Sequence, residues 1–295
     1  MKRRALLQAV PLLFARAGAA APAPLTVTVL DLKVHGLCVV LRTPSGKTWL
    51  IDTGLGPRNG QYPARDVIVP YLQSIGVRSL DGVLVSHPHG DHYGGLPYLL
   101  EHCRIAQLID AGYEGMGGVE LETYRKLREQ YVAAGGKSII VKQGDSLSLD
   151  PDLDAEILWP PGGLYRPDPA KKDDALYNAN SIVLRLRHGG QVLLFPGDDH
   201  GIAGQAKLIG PEKLKCDLLI APHHGLNSNA AMAAATTPKI VAVSSLKEYS
   251  NPTIHPYELT NAAFGPSGSE VFATWLHGDL TFQSDGRTLT SSKKR

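Results

Sequence analysis

The stretch LVSHPHGDHYGG, residues 84–95, sets His87, His89, Asp91 and His92 within six consecutive positions, directly after an apolar run. Neutral imidazoles and carboxylates are the usual ligands of zinc and manganese. A loop that bends just after a strand lets His87 and His89 converge on one ion while Asp91 and His92 turn to a second. In a chain with 11 histidines such a density is not the work of chance, and a solvated polar turn gains nothing from it. Four ligands do not fill two coordination spheres, so the others must come from strand ends elsewhere.

Three stretches offer them. VLLFPGDD, residues 192–199, ends a buried strand at Gly197 and Asp198, a carboxylate placed to bridge two cations; its plainer use is as a helix N-cap. APHHG supplies His223 and His224. Neighbouring side chains on an extended chain point to opposite sides, so one of this pair is a ligand and the other an outer or substrate contact. His255, ahead of Pro256 in NPTIHPYE, is open to three uses: ligand, transition-state contact, or cap. His35, His102, His188, His200 and His277 read as surface or core residues.

Around these motifs the chain alternates. Strand-like runs fall at 25–30, 37–42, 48–51, 82–85, 138–142, 155–159, 181–187, 191–195, 216–221 and 239–244, with a closing hairpin over 270–283. Helical segments are expected near 66–75, 94–103, 119–134, 201–209, 229–236 and 256–264. This order predicts an α/β architecture of two sheets packed face to face with helices outside. DGVLVSHPHG (81–90) and DLLIAPHHG (217–225) echo each other, each running Asp, apolar strand, turn, then His and Gly. The echo would place two histidine clusters at equivalent strand ends of two pseudo-symmetric halves. The irregular stretch 160–180 reads as the border between halves and as a binding loop or lid.

The N-terminus, MKRRALLQAVPLLFARAGAAAPAP, has a basic start, a short apolar stretch and a small-residue exit, the pattern of an export signal over residues 1–21. RRALL also looks like a twin-arginine signal, which exports folded proteins. The expected address is periplasmic or secreted, with residues 22–295 as one domain and no membrane anchor left. Removing Lys2, Arg3, Arg4 and Arg16 takes Lys+Arg from 30 to 26 against 28 acids, a net charge of about −2. That balance argues against an extensive nucleic-acid surface. The sequence is silent on oligomeric state. Cys38, Cys103 and Cys216 stand far apart in apolar settings and read as small hydrophobes.

H-x-H-x-D-H after a strand, preceded by LIDTG (50–54) and followed by FPGD, resembles the metallo-β-lactamase superfamily of hydrolases. GKTWLIDTG, NANSIVLRLRHGGQVLLFPGD, DLLIAPHHG and the late HP are similar to the soluble hydrolase domain of ComEC/Rec2 competence proteins, over residues 25–285. The resemblance implies a four-layer αβ/βα sandwich with a two-metal site at the sheet edge. It implies that Asp52 supports the histidine loop, His87 and His89 bind metal 1, Asp91 and His92 bind metal 2, and Asp198 bridges. The HHG and HP motifs fall on His223, His224 and His255, with His224 favoured as ligand. Two departures stand out. No third histidine is placed to complete metal 1, which leaves an amide, with Asn178, Asn180 and Ser181 matching an NxNS motif, or water. LDLKVHGL (30–37) replaces the Gly-rich LDVGQGDA of those relatives, near the metals.

The expected function is hydrolysis by a dinuclear site, with Zn, or alternatively Mn, acidifying a water that Asp91 orients. The resemblance favours a small or single-stranded phosphodiester. A periplasmic β-lactam, lactone or ester hydrolase is the rival, and would want a cation such as Lys247 near the metals. A non-catalytic metal-binding protein is the third reading, against which the full ligand set and Asp91 speak.

Overall fold

Short β-branched and apolar runs, punctuated by turn residues, are the raw material of this chain, and they assemble into two sheets. The structure is a computed structural model that describes residues 23–114, 118–165, 173–248 and 255–293. The expected export signal lies outside the described residues. The first sheet has eight strands, in the order Leu289–Ser291, Leu280–Ser284, Leu25–Val29, Val39–Arg42, Thr48–Ile51, Gly82–Leu84, Gln107–Asp110 and Lys137–Ile140. The second has seven: Glu270–Ala273, Ile240–Val243, Leu218–Ile220, Gln191–Phe195, Val183–His188, Leu153–Trp159 and Ser146–Leu147.

Each sheet changes character partway across. Leu25–Val29, Val39–Arg42 and Thr48–Ile51 pair antiparallel, and Gly82–Leu84 then joins parallel. Leu153–Trp159, Val183–His188 and Gln191–Phe195 repeat this, followed by Leu218–Ile220. The halves share a hydrogen-bond pair at the switch. The Asp81 N–H donates to Thr48 O and its carboxylate accepts from the Thr48 N–H, both at 2.8 Å. Asp217 does the same with Val192, at 2.7 and 2.9 Å. The echo between DGVLVSHPHG and DLLIAPHHG is therefore structural: each is the first parallel strand of its half, and each ends in histidines.

Alternation along the second sheet sorts its residues between two cores. Leu184, Leu186, Leu193, Phe195 and Leu218 share one continuous core with Val27, Val39, Leu50 and Val83 of the first sheet. Val183, Leu194, Leu219, Val241 and Val271 face the other way, onto Met232, Ala233 and Phe264 of helices Ala230–Thr236 and Pro256–Phe264. Helices Val69–Ser74, Leu96–His102 and Val119–Ala133 bring Leu72, Leu99 and Tyr124 onto the first sheet. The result is the expected helix, sheet, sheet, helix sandwich. Cys38 and Cys216 are buried, Cys103 is half-buried, and all three are free thiols.

Four expectations need correction. The border between halves falls not in 160–180 but between Lys137–Ile140 of the first sheet and Ser146–Leu147 of the second. The closing hairpin over 270–283 does not form: Glu270–Ala273 is an edge of the second sheet, whereas Leu280–Ser284 pairs with Leu25–Val29 in the first. The helical turn Thr274–His277 carries the chain between sheets. Gln107–Asp110 is a strand that the residue pattern did not announce, because a short strand with parallel partners on both sides shows no polar alternation. The helix expected over 201–209 is confined to Ala206–Ile209.

Candidate metal centre

The site is built from what leaves the strand ends. Strand Thr48–Ile51 ends in Asp52, a buried residue in the left-handed region at φ 60°. Its Oδ1 accepts from the Ser86 N–H, and its Oδ2 from the Ser86 hydroxyl and from His92 Nδ1, each at 2.7 Å. One carboxylate thus fixes the start and the end of the histidine loop. Because the His92 Nδ1–H is spent on Asp52, the Nε2 lone pair is the one turned inward.

Asp198 reaches the same place from the other sheet. It follows Gly197, at φ 55°, where a Cβ would lie 2.9 Å from both Ser86 and Ser181, so only glycine lets the two loops approach this closely. Two groups of donor atoms result: Asp91, His92, Asp198 and His224, and separately His87, His89 and Asp198, each with its members within 4.8 Å of one another. In the first, His92 Nε2 lies 3.2 Å from Asp198 Oδ1 and His224 Nε2 lies 3.1 Å from Asp91 Oδ2. In the second, His87 Nε2 is 2.8 Å from His89 Nδ1 and 3.8 Å from Asp198 Oδ2. His92 Nε2 and Asp198 Oδ1 are buried, and despite their proximity neither makes an aligned hydrogen bond. A buried imidazole nitrogen and a buried carboxylate oxygen that face each other without a hydrogen bond fit a shared divalent cation.

The electrostatics agree with that fit. Burial would raise the Asp198 carboxyl, but His92, His224 and His87 hold it far below the usual carboxylate range. Burial also opposes ionisation of Asp91, and His92, His224 and His35 outweigh it. Burial, aided by His92, pushes His87 well below the ordinary imidazole value. For His92, burial is overcome by Asp198, Asp52 and Asp91, which raise it well above that value. Ionised carboxylates and a neutral His87 are the ligand state that cation binding requires, and a proton on His92 must leave first.

Residues 33–242 match the Metallo-beta-lactamase superfamily. The chain belongs to that superfamily. It is 27% identical over 256 residues to ComE operon protein 3 of Bacillus subtilis (strain 168), which covers 82% of this chain and 31% of that protein. It is 30% identical over 260 residues to Competence protein ComA of Neisseria gonorrhoeae, covering 87% of this chain and 32% of the relative. The chain therefore spans about a third of the length of these curated relatives. A solved structure of Igni18, a novel metallo hydrolase from the hyperthermophilic archaeon Ignicoccus hospitalis KIN4/I, shares the fold at a TM-score of 0.54 and 14% identity, over 88% of this chain and 99% of that one. Among the described residues no helix is long and apolar enough to cross a membrane.

Within this superfamily fold, the HHG turn departs from the extended chain assumed for it. His223 and His224 are both left-handed, at φ 52° and 55°, and the His223 N–H donates to Gly197 O. His224 is buried in the first donor group, and His223 is half-buried with Nε2 3.9 Å from Asp198 Oδ2. The catalytic use considered for His255 is not what the structure shows. Its Nδ1 accepts from the Tyr257 N–H and so caps helix Pro256–Phe264, and its Nε2 donates to Leu246 O, so both ring nitrogens are already engaged. Asn180 turns its amide N–H groups to Tyr165 O and Leu176 O.

Above the donors lies a cavity of about 600 Å³, lined among others by His35, Arg58, His89, Glu120, Asn178, His200 and His223. Four of these, His35, Arg58, Glu120 and His200, were not among the residues singled out as site members by motif; Asn178 belongs to the NxNS match. Asn178 carries a buried Oδ1 without a hydrogen-bond partner. His200 stacks on His223 at 5.4 Å. Glu120 accepts from the Gly90 N–H at 3.0 Å. The one signal that pointed this way was the altered LDLKVHGL loop, which contains His35. Lys247 is exposed and is not among the residues lining the cavity.

Proposed function

We propose that this chain is a dinuclear metal-dependent hydrolase that cleaves a phosphodiester of a small or single-stranded substrate outside the cytoplasm. The observation that carries the reading is the pair of donor groups sharing Asp198 at the floor of one cavity. Bound divalent ions, zinc in preference to manganese, would supply an acidified water and a sink for charge developing on the substrate oxygen. His87, His89 and Asp198 would hold one ion, and Asp91, His92, His224 and Asp198 the other. Asp91, at the cavity edge, would also orient the attacking water. Asp52 keeps His92 in the tautomer that ligates, and the Ser244 carbonyl does the same for His224 through Nδ1 at 3.2 Å. Arg58 at the rim, with imidazoles His200 and His223, offers hydrogen-bond donors to an anionic substrate. The cavity has the size of a small-ligand site and not of a duplex groove.

The test is turnover of bis-p-nitrophenyl phosphate beside nitrocefin by the purified chain loaded with zinc or manganese, with His89→Ala as control. Phosphodiester turnover that collapses in the variant is expected. Its absence from the loaded wild type would overturn the reading. Nitrocefin turnover lost on substitution would move the substrate to a β-lactam, and metal bound without any turnover would make the chain a binding protein.

A further inference from the structure

His35 read in the sequence as a surface or core residue, and the fold places it against the site. Its Nε2 lies 2.9 Å from Asp91 Oδ2, and its ring centroid lies 4.2 Å from that of His224. The two residues that follow it are pinned in place. The Leu37 N–H donates to the Asp91 carbonyl at 3.1 Å, and the Gly54 N–H donates to Leu37 O at 2.8 Å. The Ser244 hydroxyl donates to Gly36 O at 2.8 Å. Gly36 itself, at φ +135°, has no space for a side chain, since a Cβ would stand 2.7 Å from Asp91 O.

Hydrogen-bond accounting then separates the two imidazoles at Asp91 Oδ2. In the neutral form that a cation requires, His224 gives its Nδ1–H to the Ser244 carbonyl, so its Nε2 carries a lone pair and has no proton to donate to Asp91. His224 Nε2 and Asp91 Oδ2, 3.1 Å apart, would in that form be co-ligands of an ion and not donor and acceptor. His35 is the imidazole left to donate to that oxygen. It is not one of the four donors that lie within 4.8 Å of one another. A carboxylate oxygen has two lone pairs, so Oδ2 can face the donor group with one and accept from His35 with the other.

We propose that His35 is a positioning residue for Asp91: its Nε2–H fixes the carboxylate in the rotamer that ligates the ion held by Asp91, His92, His224 and Asp198. This rests on the reading of the cluster as a two-metal centre. The role is one a neutral donor of the same reach can fill, which sets it apart from ligation. Glutamine, whose amide nitrogen overlays imidazole Nε2, retains the hydrogen bond; asparagine, whose amide overlays Nδ1, does not.

The experiment measures zinc dissociation constants of wild type, His35→Ala, His35→Gln and His35→Asn by chelator competition, with the visible spectrum of the cobalt-loaded chains as a second readout. His35→Ala is expected to weaken one of two ions by about 10–100-fold and leave the other unchanged. His35→Gln restores most of that loss and the wild-type cobalt spectrum, and His35→Asn does not. Two ions bound by His35→Ala as tightly as by wild type would overturn the proposal alone. A loss that His35→Gln leaves in place would make His35 a ligand, which also overturns it. A wild type that binds no metal would overturn the underlying reading, and this proposal with it.

Discussion

Asp52 accepts three hydrogen bonds in the dry interior and so ties His92 to Ser86. Its removal leaves a buried imidazole N–H and a backbone N–H without partners. Asp52→Ala should cost about 2–4 kcal/mol of stability and weaken metal binding by about 10–100-fold, read by thermal denaturation and chelator competition. Asp199 behaves in the opposite sense. It is buried beside Asp198, and burial raises its carboxyl to about 7. A folded value above the unfolded one stabilises fully below about 4 and loses that contribution as pH rises through 7. Asp199→Asn should therefore raise the melting temperature more at pH 8.5 than at pH 5, by on the order of 2 kcal/mol in differential stability. Equal gains at both pH values would contradict the assignment. At this scale His87, His89, Asp91, His92 and Asp198, which the fold brings together, were legible from density and from their places after strands, whereas the choice of His224 over His223 came with the family resemblance. His35, Arg58 and His200 were not, because they enter the site only through tertiary folding, with no spacing to betray them.

Among the elements, the loops after Thr48–Ile51, Gly82–Leu84, Gln191–Phe195 and Leu218–Ile220 carry the chemistry, and the strands carry the loops. The close approach of two of them depends on Gly197, between Ser86 and Ser181. Gly197→Ala combines a positive φ with contacts that neither serine can relieve without moving a loop. It should cost about 1–3 kcal/mol, and because Asp198 follows directly, both ions should bind more weakly; a stable variant with wild-type affinity would refute this account of the turn. The HHG turn shows where pattern reading stops. The rule that adjacent side chains diverge holds for an extended chain, and His223 and His224 are two successive left-handed residues that the residue letters do not announce. His255 had three readings in the sequence, and only the positions of Leu246 O and the Tyr257 N–H separate them.

For the whole molecule, alternating short strands and helices made the two-sheet sandwich legible, and the paired Asp81 and Asp217 hydrogen bonds show why the echo between halves was visible. The failure lay in connectivity. The stretch 270–283 has the letters of a hairpin, but which sheet takes each strand is decided by non-local pairing, Leu280–Ser284 with Leu25–Val29. The same non-local logic places Asp198 between the two donor groups, where it serves both. Metal removal should therefore lower the melting temperature of the wild type, because binding to the folded state alone stabilises it. The most direct test of the two-metal centre is the metal content per chain of wild type and Asp198→Ala after loading and desalting. Two divalent ions in the wild type and fewer than one in the variant is the expected result; a wild type with fewer than two, or a variant that keeps both, would contradict it.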